Sequence, residues 1–399
     1  MGFLLLIFEG CSTIKAIKIL NSATLYNPKN FSYTIPFDRK FTLIHLQASI
    51  NGSQKKADFI FDTGAGVTVI SKHFADSLNL PIQSTFSVKD VHGNISKNNV
   101  VLIPSLEVNG LVFKNVGAVV AEFGPNSALN CIGKDGIIGV NIISKCNWIV
   151  DYEKNTFKAT DSDLHFPLSI VVVPLKLSVP QIPHIDIKLN GKLVKSVTID
   201  MGSSETFALR SFVVKQNPGF ISQKPLFKNI DNSSQGVNGT KSDTIYYFTA
   251  DSLQVGDTKL FKPQTIINNS INDRIGEKLL EKYLVGFDYK NKKFYLSRNN
   301  IPLTDNTLHG FGFNIDLHGD SCRIASLFSN SPAADAGLKI DDEILEINGI
   351  PTSSFFRDYC TAIYWSKFTL QTLSEIHLKI RGKQEPITLK SAAYNPVSQ

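Results

Sequence analysis

An internal repeat constrains this chain more than any other feature. The segment HLQASINGSQKKADFIFDTGAGVTVIS, from residue 45, is matched by HIDIKLNGKLVKSVTIDMGSSETFAL, from residue 184, which places Asp62 and Asp200 138 residues apart. Two later pairs repeat at an offset of 137, namely Gly139 with Gly276 and Asp151 with Asp288. Three landmarks with nearly one offset indicate a duplicated unit of roughly 130 residues.

Each copy of the unit reads as mostly β structure. Runs rich in Val, Ile, Thr and Phe are bounded by turn signals, of which Asn51-Gly52 and Asn190-Gly191 are matched hairpin turns. One short helical segment follows the repeated Gly of each copy, VNIISK in the first and EKLLEK in the second. We therefore predict a mainly β protein with two pseudo-twofold-related β lobes.

The repeated acids end apolar, β-branched strands. An isolated carboxylate at such a place is costly to desolvate. Pseudo-twofold packing would bring Asp62 and Asp200 face to face across the lobe interface, where two carboxylates cannot both ionise cheaply and one proton is held between them. The pair is thus predicted to be an acid and a base that activate water, with no metal, cofactor or covalent intermediate.

The residues beside the two acids fit a crowded interface. Gly64 and Gly202 leave room for two backbones to approach, because they have no Cβ. Thr63 can hydrogen-bond across to the other lobe, whereas Met201 has no hydroxyl at the matching position. Ser203 is predicted to be a hydrogen-bonding neighbour of the second acid and not a nucleophile.

DTGAGVTVIS with the downstream DGIIG resembles the catalytic loop and the apolar-apolar-Gly segment of retropepsin-like aspartic proteases, here with both lobes in one chain. The resemblance covers about residues 40–298 and implies an aspartic endopeptidase. It also implies that a few residues lie beneath the acids and support them. These are Ile137, Ile138 and Gly139 in the first lobe, and Ile275 and Gly276 in the second.

The same resemblance implies β-hairpin flaps over the substrate. Their turns are assigned to 90–94, which includes His92 and Gly93, and to the turn from Gly236 to Gly239; for His92 a solvent-facing position is favoured over substrate contact. In the second lobe the supporting segment begins Asp-Arg in place of Gly-Ile. The alternative is therefore a catalytically degenerate peptide-binding or adaptor protein that retains the cleft, and a third reading is self-processing only.

After residue 303 the pattern changes to an α+β module, whose first helix is predicted to begin at the N-cap Ser331 and to stop at Gly337. GFGF and SPAADAGLKIDDEILEINGI resemble a PDZ domain of the bacterial protease type. That resemblance implies a peptide added as a strand, with its terminal carboxylate at the backbone N–H groups of one loop. The loop comprises Gly310, Phe311, Gly312 and Phe313. Peptide tethering or regulation, and a packing module whose groove is filled by the protein's own chain, stay open as alternatives.

The first residues, MGFLLLIFEGCS, resemble the end of a bacterial lipoprotein signal, with Cys11 as the lipidation site. The apolar run is only six residues long and no Lys or Arg precedes it, so a first strand of the fold is the alternative. We expect a periplasmic or surface lipoprotein of the cell envelope, or a secreted protein. The predicted domains are a leader at 1–20, the first lobe at 21–165, the second lobe at 166–300 and the PDZ domain at 301–395.

Five cysteines are present, and an even number remains without Cys11. An exported protein can form disulfides, and Cys131 with Cys146 is the predicted pair. No C-x-x-C spacing and no H-E-x-x-H motif occurs, so no metal site is predicted. G-x-S-x-G is also absent, and Val69 stands where the third Gly of a dinucleotide-binding loop would be.

Charge and hydropathy limit the partners. The net charge of +6 is spread along the chain without a long basic run, so no nucleic-acid partner is predicted. No internal apolar segment has the length of a bilayer span, so membrane contact is expected only through the lipid anchor. The predicted partners are a peptide or protein substrate and a C-terminal peptide at the PDZ domain. Because both lobes lie in one chain, we expect a monomer.

Overall fold

The computed structural model describes residues 12–166, 170–221, 226–236, 239–260, 262–303 and 308–393, without the side chains of 231–240. Cys11 and the apolar run before it lie outside these ranges. Within them the protein is mainly β, with two lobes and a C-terminal PDZ domain, as the sequence predicts. No helix of the described ranges is long and apolar enough to cross a membrane.

The first lobe is built around one β-sheet, onto which helix α1, residues 12–20, packs through Ala16 and Leu20. The strands of this lobe are β1 (Thr24–Leu25), β2 (Ser32–Pro36), β3 (Asp38–Lys40), β4 (Leu43–Ile50), β5 (Lys56–Phe61), β6 (Thr68–Ser71), β7 (Ile82–Lys89), β8 (Ile95–Val108), β9 (Leu111–Ala121), β10 (Gly136–Ile138), β11 (Asn147–Asp151) and β12 (Thr156–Thr160). Its further helices are α2 (Lys72–Ser77), α3 (Ala128–Ile132) and α4 (Val140–Ile143). The sheet order is β1-β9-β6-β10-β5-β4-β8-β7, with β3 beside β4.

The second lobe repeats this arrangement. Its strands are β13 (Val171–Pro174), β14 (Lys176–Leu177), β15 (Pro183–Leu189), β16 (Lys192–Ile199), β17 (Phe207–Arg210), β18 (Phe227–Gly236), β19 (Gly239–Thr249), β20 (Leu253–Val255), β21 (Thr258–Lys259), β22 (Gln264–Asn268), β23 (Arg274–Ile275), β24 (Tyr283–Asp288) and β25 (Lys293–Arg298). Its helices are α5 (Ser211–Gln216), a 3₁₀ turn (Pro218–Phe220) and α6 (Glu277–Leu280). In each lobe a short strand runs parallel to the one that leads to the acid, β10 beside β5 and β23 beside β16.

A third sheet joins the lobes and reveals the pseudo-twofold axis. Its order, β13-β25-β24-β11-β12-β2, is the same from either end once the two copies are equated. At its centre β11 and β24 are antiparallel, and Ile149 lies opposite Gly286, its own counterpart at the 137-residue offset. The axis therefore passes between these two residues. One hydrophobic core continues through both lobes.

The PDZ domain has a core of its own. Its strands are β26 (His309–Gly310), β27 (Phe313–His318), β28 (Ser321–Phe328), β29 (Glu343–Ile347), β30 (Ile350–Pro351), β31 (Glu375–Ile380), β32 (Ile387–Lys390) and β33 (Ala392–Ala393). Its helices are α7 (Pro332–Asp335), α8 (Thr352–Phe355) and α9 (Tyr359–Tyr364), the last continued by a π turn (Trp365–Thr369) and a 3₁₀ turn (Leu370–Thr372). Ser331 caps α7 by accepting from the N–H of Ala334, and Gly337 follows with a φ of +73°.

A strand pairing and a disulfide help to hold the PDZ domain against the lobes. Strand β28 continues the sheet of the second lobe by pairing with β18, Asn229 opposite Phe328. A disulfide joins Cys360 of α9 to Cys131 of α3 in the first lobe. The predicted pairing of Cys131 with Cys146 is therefore wrong. Cys146 is a free, buried thiol in the core of the lobes, where it packs as an apolar side chain.

Candidate active site

Each acid of the repeat stands directly after a buried strand, beside its supporting segment. Asp62 follows β5 and donates its N–H to the carbonyl of Ile138 at 3.0 Å. Asp200 follows β16 and donates its N–H to the carbonyl of Ile275 at 2.9 Å. The residue before Ile138, Ile137, lies in the strand between β5 and β6 and is buried. The supporting strands thus hold both acids at equivalent places in the two lobes.

The glycines that end these segments fill gaps in which a side chain has no room. A Cβ on Gly139 would lie 2.4 Å from the carbonyl oxygen of Val67, and a Cβ on Gly276 would lie 2.4 Å from that of Glu205. Contacts this short are forbidden to real Cβ atoms, so both backbones approach closely because the residues are glycine. The equal distances also identify Val67 and Glu205 as counterparts.

The loops that begin with the two acids face each other across the lobe interface. A Cβ on Gly64 would lie 2.6 Å from Oδ1 of Asp200, and a Cβ on Gly202 would lie 2.3 Å from Cγ of Asp62. Each glycine therefore lies against the carboxyl group of the other lobe. The two carboxyl groups are also hydrogen-bonded to each other. The face-to-face pair expected from the repeat is present in this geometry.

The surroundings of the two carboxyl groups are unequal. Burial and the charge of Asp200 raise the pKa of Asp62 to about 8, although its Oδ1 accepts from the N–H groups of Gly64 at 2.7 Å and Ala65 at 3.0 Å. Burial also raises the pKa of Asp200, but Arg274 and the N–H of Gly202, at 3.0 Å, oppose that rise. The groups that oppose protonation therefore differ between the two acids, because only Asp200 has a guanidinium beside it among the causes of its shift.

The lobes are tied by a single hydroxyl beside the dyad. The Thr63 hydroxyl, which is fully buried, donates to the carbonyl of Ile199 at 2.6 Å and accepts from the N–H of Met201 at 3.0 Å. Met201 is also fully buried, but its thioether packs in the common core and offers no donor. One half of a symmetrical two-hydroxyl tie is therefore present.

A buried ion pair next to Asp200 was not singled out from the sequence. Nη2 of Arg274 lies 2.5 Å from Oε2 of Glu205, and Nε of Arg274 lies 4.0 Å from Oδ2 of Asp200. Ser203 is a neighbour of Asp200 as predicted, through its N–H on the Asp200 carbonyl at 3.2 Å, while its hydroxyl bonds Glu205 and Arg274. The signal in the sequence is the Arg that stands where the first lobe has an apolar Ile.

The turn that the sequence predicts as the first flap rests on the opposite lobe. Asp90 folds the turn by accepting from the N–H groups of His92 at 3.0 Å and Asn94 at 2.9 Å, and Gly93 takes a φ of +84°. The N–H of Ile271 in the second lobe donates to the carbonyl of Val91 at 3.1 Å. In the second lobe Gly236 ends β18 and pairs with Gly239, the first residue of β19, and the two residues between them lie outside the described ranges.

The PDZ loop contributes its carbonyls to the fold of its own domain. The N–H of Ala333 donates to the Phe311 carbonyl, and the N–H of Phe328 donates to the Gly312 carbonyl. Gly310 pairs with β33, and Phe313 begins β27. At the edge of β27 that faces α9 and its π turn, the N–H of Ile315 donates to the Ser366 hydroxyl at 3.2 Å. A side chain of the protein thus occupies a backbone donor that an added strand would use.

Comparison with known proteins identifies two domains. Residues 46–142 match the family model described as aspartyl protease, and residues 300–364 match the model of the PDZ domain. The crystal structure of Basic 7S globulin from soybean aligns with a TM-score of 0.41 and 10% sequence identity, over 68% of this chain and 95% of that chain. No curated protein matches.

The chain therefore carries a segment that matches the aspartyl protease family and a C-terminal segment that matches the PDZ domain. The family match falls on the first lobe, and the pseudo-twofold axis relates the second lobe to it. No group of three or more His, Cys, Asp or Glu within the described ranges could hold a metal ion.

Proposed function

We propose that this protein is an aspartic endopeptidase that hydrolyses peptide bonds with a water molecule activated between Asp62 and Asp200. The observation that carries the proposal is the hydrogen-bonded carboxyl pair, with each carboxyl group set against the glycine of the opposite catalytic loop. A pair that shares one proton supplies a base and an acid together, which is what addition of water to an amide requires.

The unequal carboxyl groups assign the steps. Ionised Asp200 takes a proton from the water as its oxygen bonds to the peptide carbonyl carbon, and Asp62 gives its proton to the carbonyl oxygen. The resulting diol collapses when Asp200 returns its proton to the amide nitrogen and Asp62 regains a proton from a diol hydroxyl. The C–N bond then breaks, and both carboxyl groups are back in their first state.

The test is cleavage of a mixed peptide library by the purified full chain from acidic to neutral pH. Asp62→Asn and Asp200→Asn variants are run beside it, and Asp151→Asn, an acid of the repeat outside the site, is the matched control. Cleavage by the parent and the control, with none by the two site variants, is the expected result. Binding without cleavage in all four proteins would contradict the proposal. Cleavage by the Asp200→Asn variant would show that Asp200 is not needed for catalysis and that the second lobe has only a structural role.

A second candidate is a peptide-binding or adaptor protein that keeps the cleft without turnover. The absent hydroxyl at Met201 and the charged supporting segment of the second lobe favour it. Self-processing alone is distinguished in the same experiment by mass spectrometry of the intact chain, which would show a shortened parent beside an uncut library.

We also propose that the protein acts in the cell envelope or after secretion, as a monomer, on peptide or protein substrates. The disulfide between Cys131 and Cys360 supports an oxidising compartment. Fusion of both lobes in one chain supports a monomer. For the PDZ domain, the Ser366 hydroxyl on β27 supports a packing role over strand addition in this conformation, and isothermal titration with C-terminal peptides tests it.

A further inference from the structure

We propose that Arg274 and Glu205 are positioning residues that fix the charge of the catalytic dyad: Arg274 holds Asp200 ionised, and the shared proton therefore resides on Asp62. This inference rests on the proposed function for its catalytic consequence. The arrangement itself stands on contacts that do not depend on turnover.

The first argument is distance and burial. Nε of Arg274 lies 4.0 Å from Oδ2 of Asp200, and the two side chains are only 8% and 13% exposed. A guanidinium at that range strongly favours the carboxylate over the neutral acid, since little water lies between them to screen the charges. Arg274 is the only cation among the groups that act on the charge of Asp200 in the described part of the chain.

The second argument is the asymmetry of the repeat. At the 137-residue offset the counterpart of Arg274 is Ile137, and at the 138-residue offset of the two acids the counterpart of Glu205 is Val67. At these two positions the first lobe has apolar residues, whereas the second has an ion pair. A buried ion pair is on balance no more stabilising than apolar side chains of similar volume. Stability alone therefore gives no reason for the charged version beside only one of the two acids.

The third argument is how the ion pair is held. Glu205 accepts from Nη2 of Arg274 at 2.5 Å, and the Ser203 hydroxyl bridges the two, accepting from Nε of Arg274 and donating to Glu205, at 3.3 Å each. Glu205 thus orients the guanidinium, while its own negative charge reduces the effect of Arg274 on Asp200. The two residues act on the dyad with opposite signs.

Every charged group that faces Asp200 enters this balance. Asp62 follows β5, Arg274 lies on β23, Glu205 lies in the loop after the acid, and Glu277 begins α6. Glu277 is fully buried, and burial raises its pKa well above the ordinary value, which favours the neutral form. The net field on Asp200 is therefore set by Arg274 against Glu205, with Asp62 as the proton partner.

The experiment is the pH dependence of kcat/KM for a cleaved peptide, measured for Arg274→Met and Glu205→Gln. The acid limb of the profile is the fall in kcat/KM at low pH. Arg274→Met removes the cation and should move this limb to higher pH by about one unit, whereas Glu205→Gln removes the anion and should move it to lower pH. Arg274→Lys keeps the positive charge, so its pH profile should stay close to that of the parent. Arg210→Met is the matched control, because it breaks a partly buried ion pair of the same lobe, Arg210 with Asp273, that does not touch the dyad.

A merely structural role predicts something else. It would lower activity in both variants without shifting their pH profiles in opposite directions. Acid limbs that stay in place, or that move in the same direction in both variants, would overturn the proposal. A shift of the same size in Arg210→Met would overturn it as well.

A second readout separates this inference from the proposed function. Selective ¹³C labelling of aspartate carboxyl carbons, assigned with Asp62→Asn and Asp200→Asn, follows the titration of the dyad by NMR without any substrate. If the parent cleaves nothing, the proposed function fails, yet opposite shifts of the dyad titration in the two variants still support the positioning role. If the parent cleaves peptides but the dyad titrates at the same pH in both variants, the proposed function is supported and this inference is wrong.

Discussion

The Thr63 hydroxyl accepts a hydrogen bond from the backbone N–H of Met201 at 3.0 Å, and no hydroxyl returns the bond from the second lobe. Since the same oxygen donates to Ile199, all of this tie depends on one buried group. Two backbone groups of the second lobe lose their partner if it is removed, and buried polar groups without partners are costly.

Thr63→Val should therefore lower the free energy of unfolding by about 1–3 kcal/mol, because it keeps the shape and deletes the hydroxyl. Thr63→Ser keeps the hydroxyl and should lose less than half of that. The measurement is urea unfolding at neutral pH, followed by tryptophan fluorescence. A larger loss in Thr63→Ser than in Thr63→Val would mean that the methyl group, and not the hydrogen bonds, is what matters at this position.

The glycines of the catalytic loops provide a second prediction. A Cβ on Gly202 would overlap the Asp62 carboxyl carbon at 2.3 Å, so Gly202→Ala must push the loops apart. Overpacking of this kind costs about 1–3 kcal/mol, and it should abolish cleavage because the two carboxyl groups no longer share a proton. Gly124→Ala, where the added Cβ meets nothing within 4 Å, is the matched control. Unchanged activity in Gly202→Ala would show that the loops are farther apart in solution.

The sequence predicts those parts of the fold and site that depend on repetition and on local patterns. The offset between Asp62 and Asp200 predicted the lobes, and the symmetrical pairing of Ile149 with Gly286 has the same origin, because a duplicated strand packs on its own copy about a twofold axis. The short helices after Gly139 and Gly276 are also where the pattern placed them. Local periodicity and repetition thus carry the fold.

The rest depended on contacts between distant parts of the chain. Cys131 pairs with Cys360 across 229 residues, and nothing in the spacing of the cysteines distinguishes that partner from Cys146. In the sequence, Arg274 is only a departure from the family pattern. Its contacts with Asp200 and Glu205, which suggest its role, are visible only in the structure. Docking of the PDZ domain through β18 and β28 likewise leaves no trace in local sequence.

The disulfide yields a third prediction. Because Cys131 and Cys360 tie the PDZ domain to the first lobe, the double variant Cys131→Ser with Cys360→Ser should lose about 2–4 kcal/mol of stability. Limited proteolysis between the second lobe and the PDZ domain should also become faster, since the covalent tie between that domain and the first lobe would be gone. Cys146→Ala, which changes a free thiol, is the control for cysteine loss.

A non-reducing peptide map checks the connectivity itself. The expected species joins the peptides that contain Cys131 and Cys360, with Cys146 and Cys322 recovered as free thiols. A peptide pair that contains Cys131 and Cys146 would contradict the structure.

The raised pKa of Asp62 makes stability depend on pH with a definite sign. In the unfolded chain this carboxyl loses its proton near 3.8, whereas burial and the charge of Asp200 keep the proton on the folded protein up to about 8. Between these values the unfolded state binds fewer protons, so rising pH favours unfolding. Asp62→Asn removes the titration, and the variant should gain stability relative to the parent as the pH rises through this window.

Each pH unit within the window is worth about 1.4 kcal/mol for one such group. The difference between Asp62→Asn and the parent should therefore be near its minimum at about pH 4 and exceed roughly 1.4 kcal/mol at about pH 7, measured by urea unfolding at each pH. Asp200→Asn should show the same sign with a smaller total change, because Arg274 opposes the rise in the pKa of Asp200 and the pH window is narrower. If Asp62→Asn instead loses stability relative to the parent with rising pH, Asp62 is ionised in the folded protein, and the acid and base roles of the dyad must be exchanged.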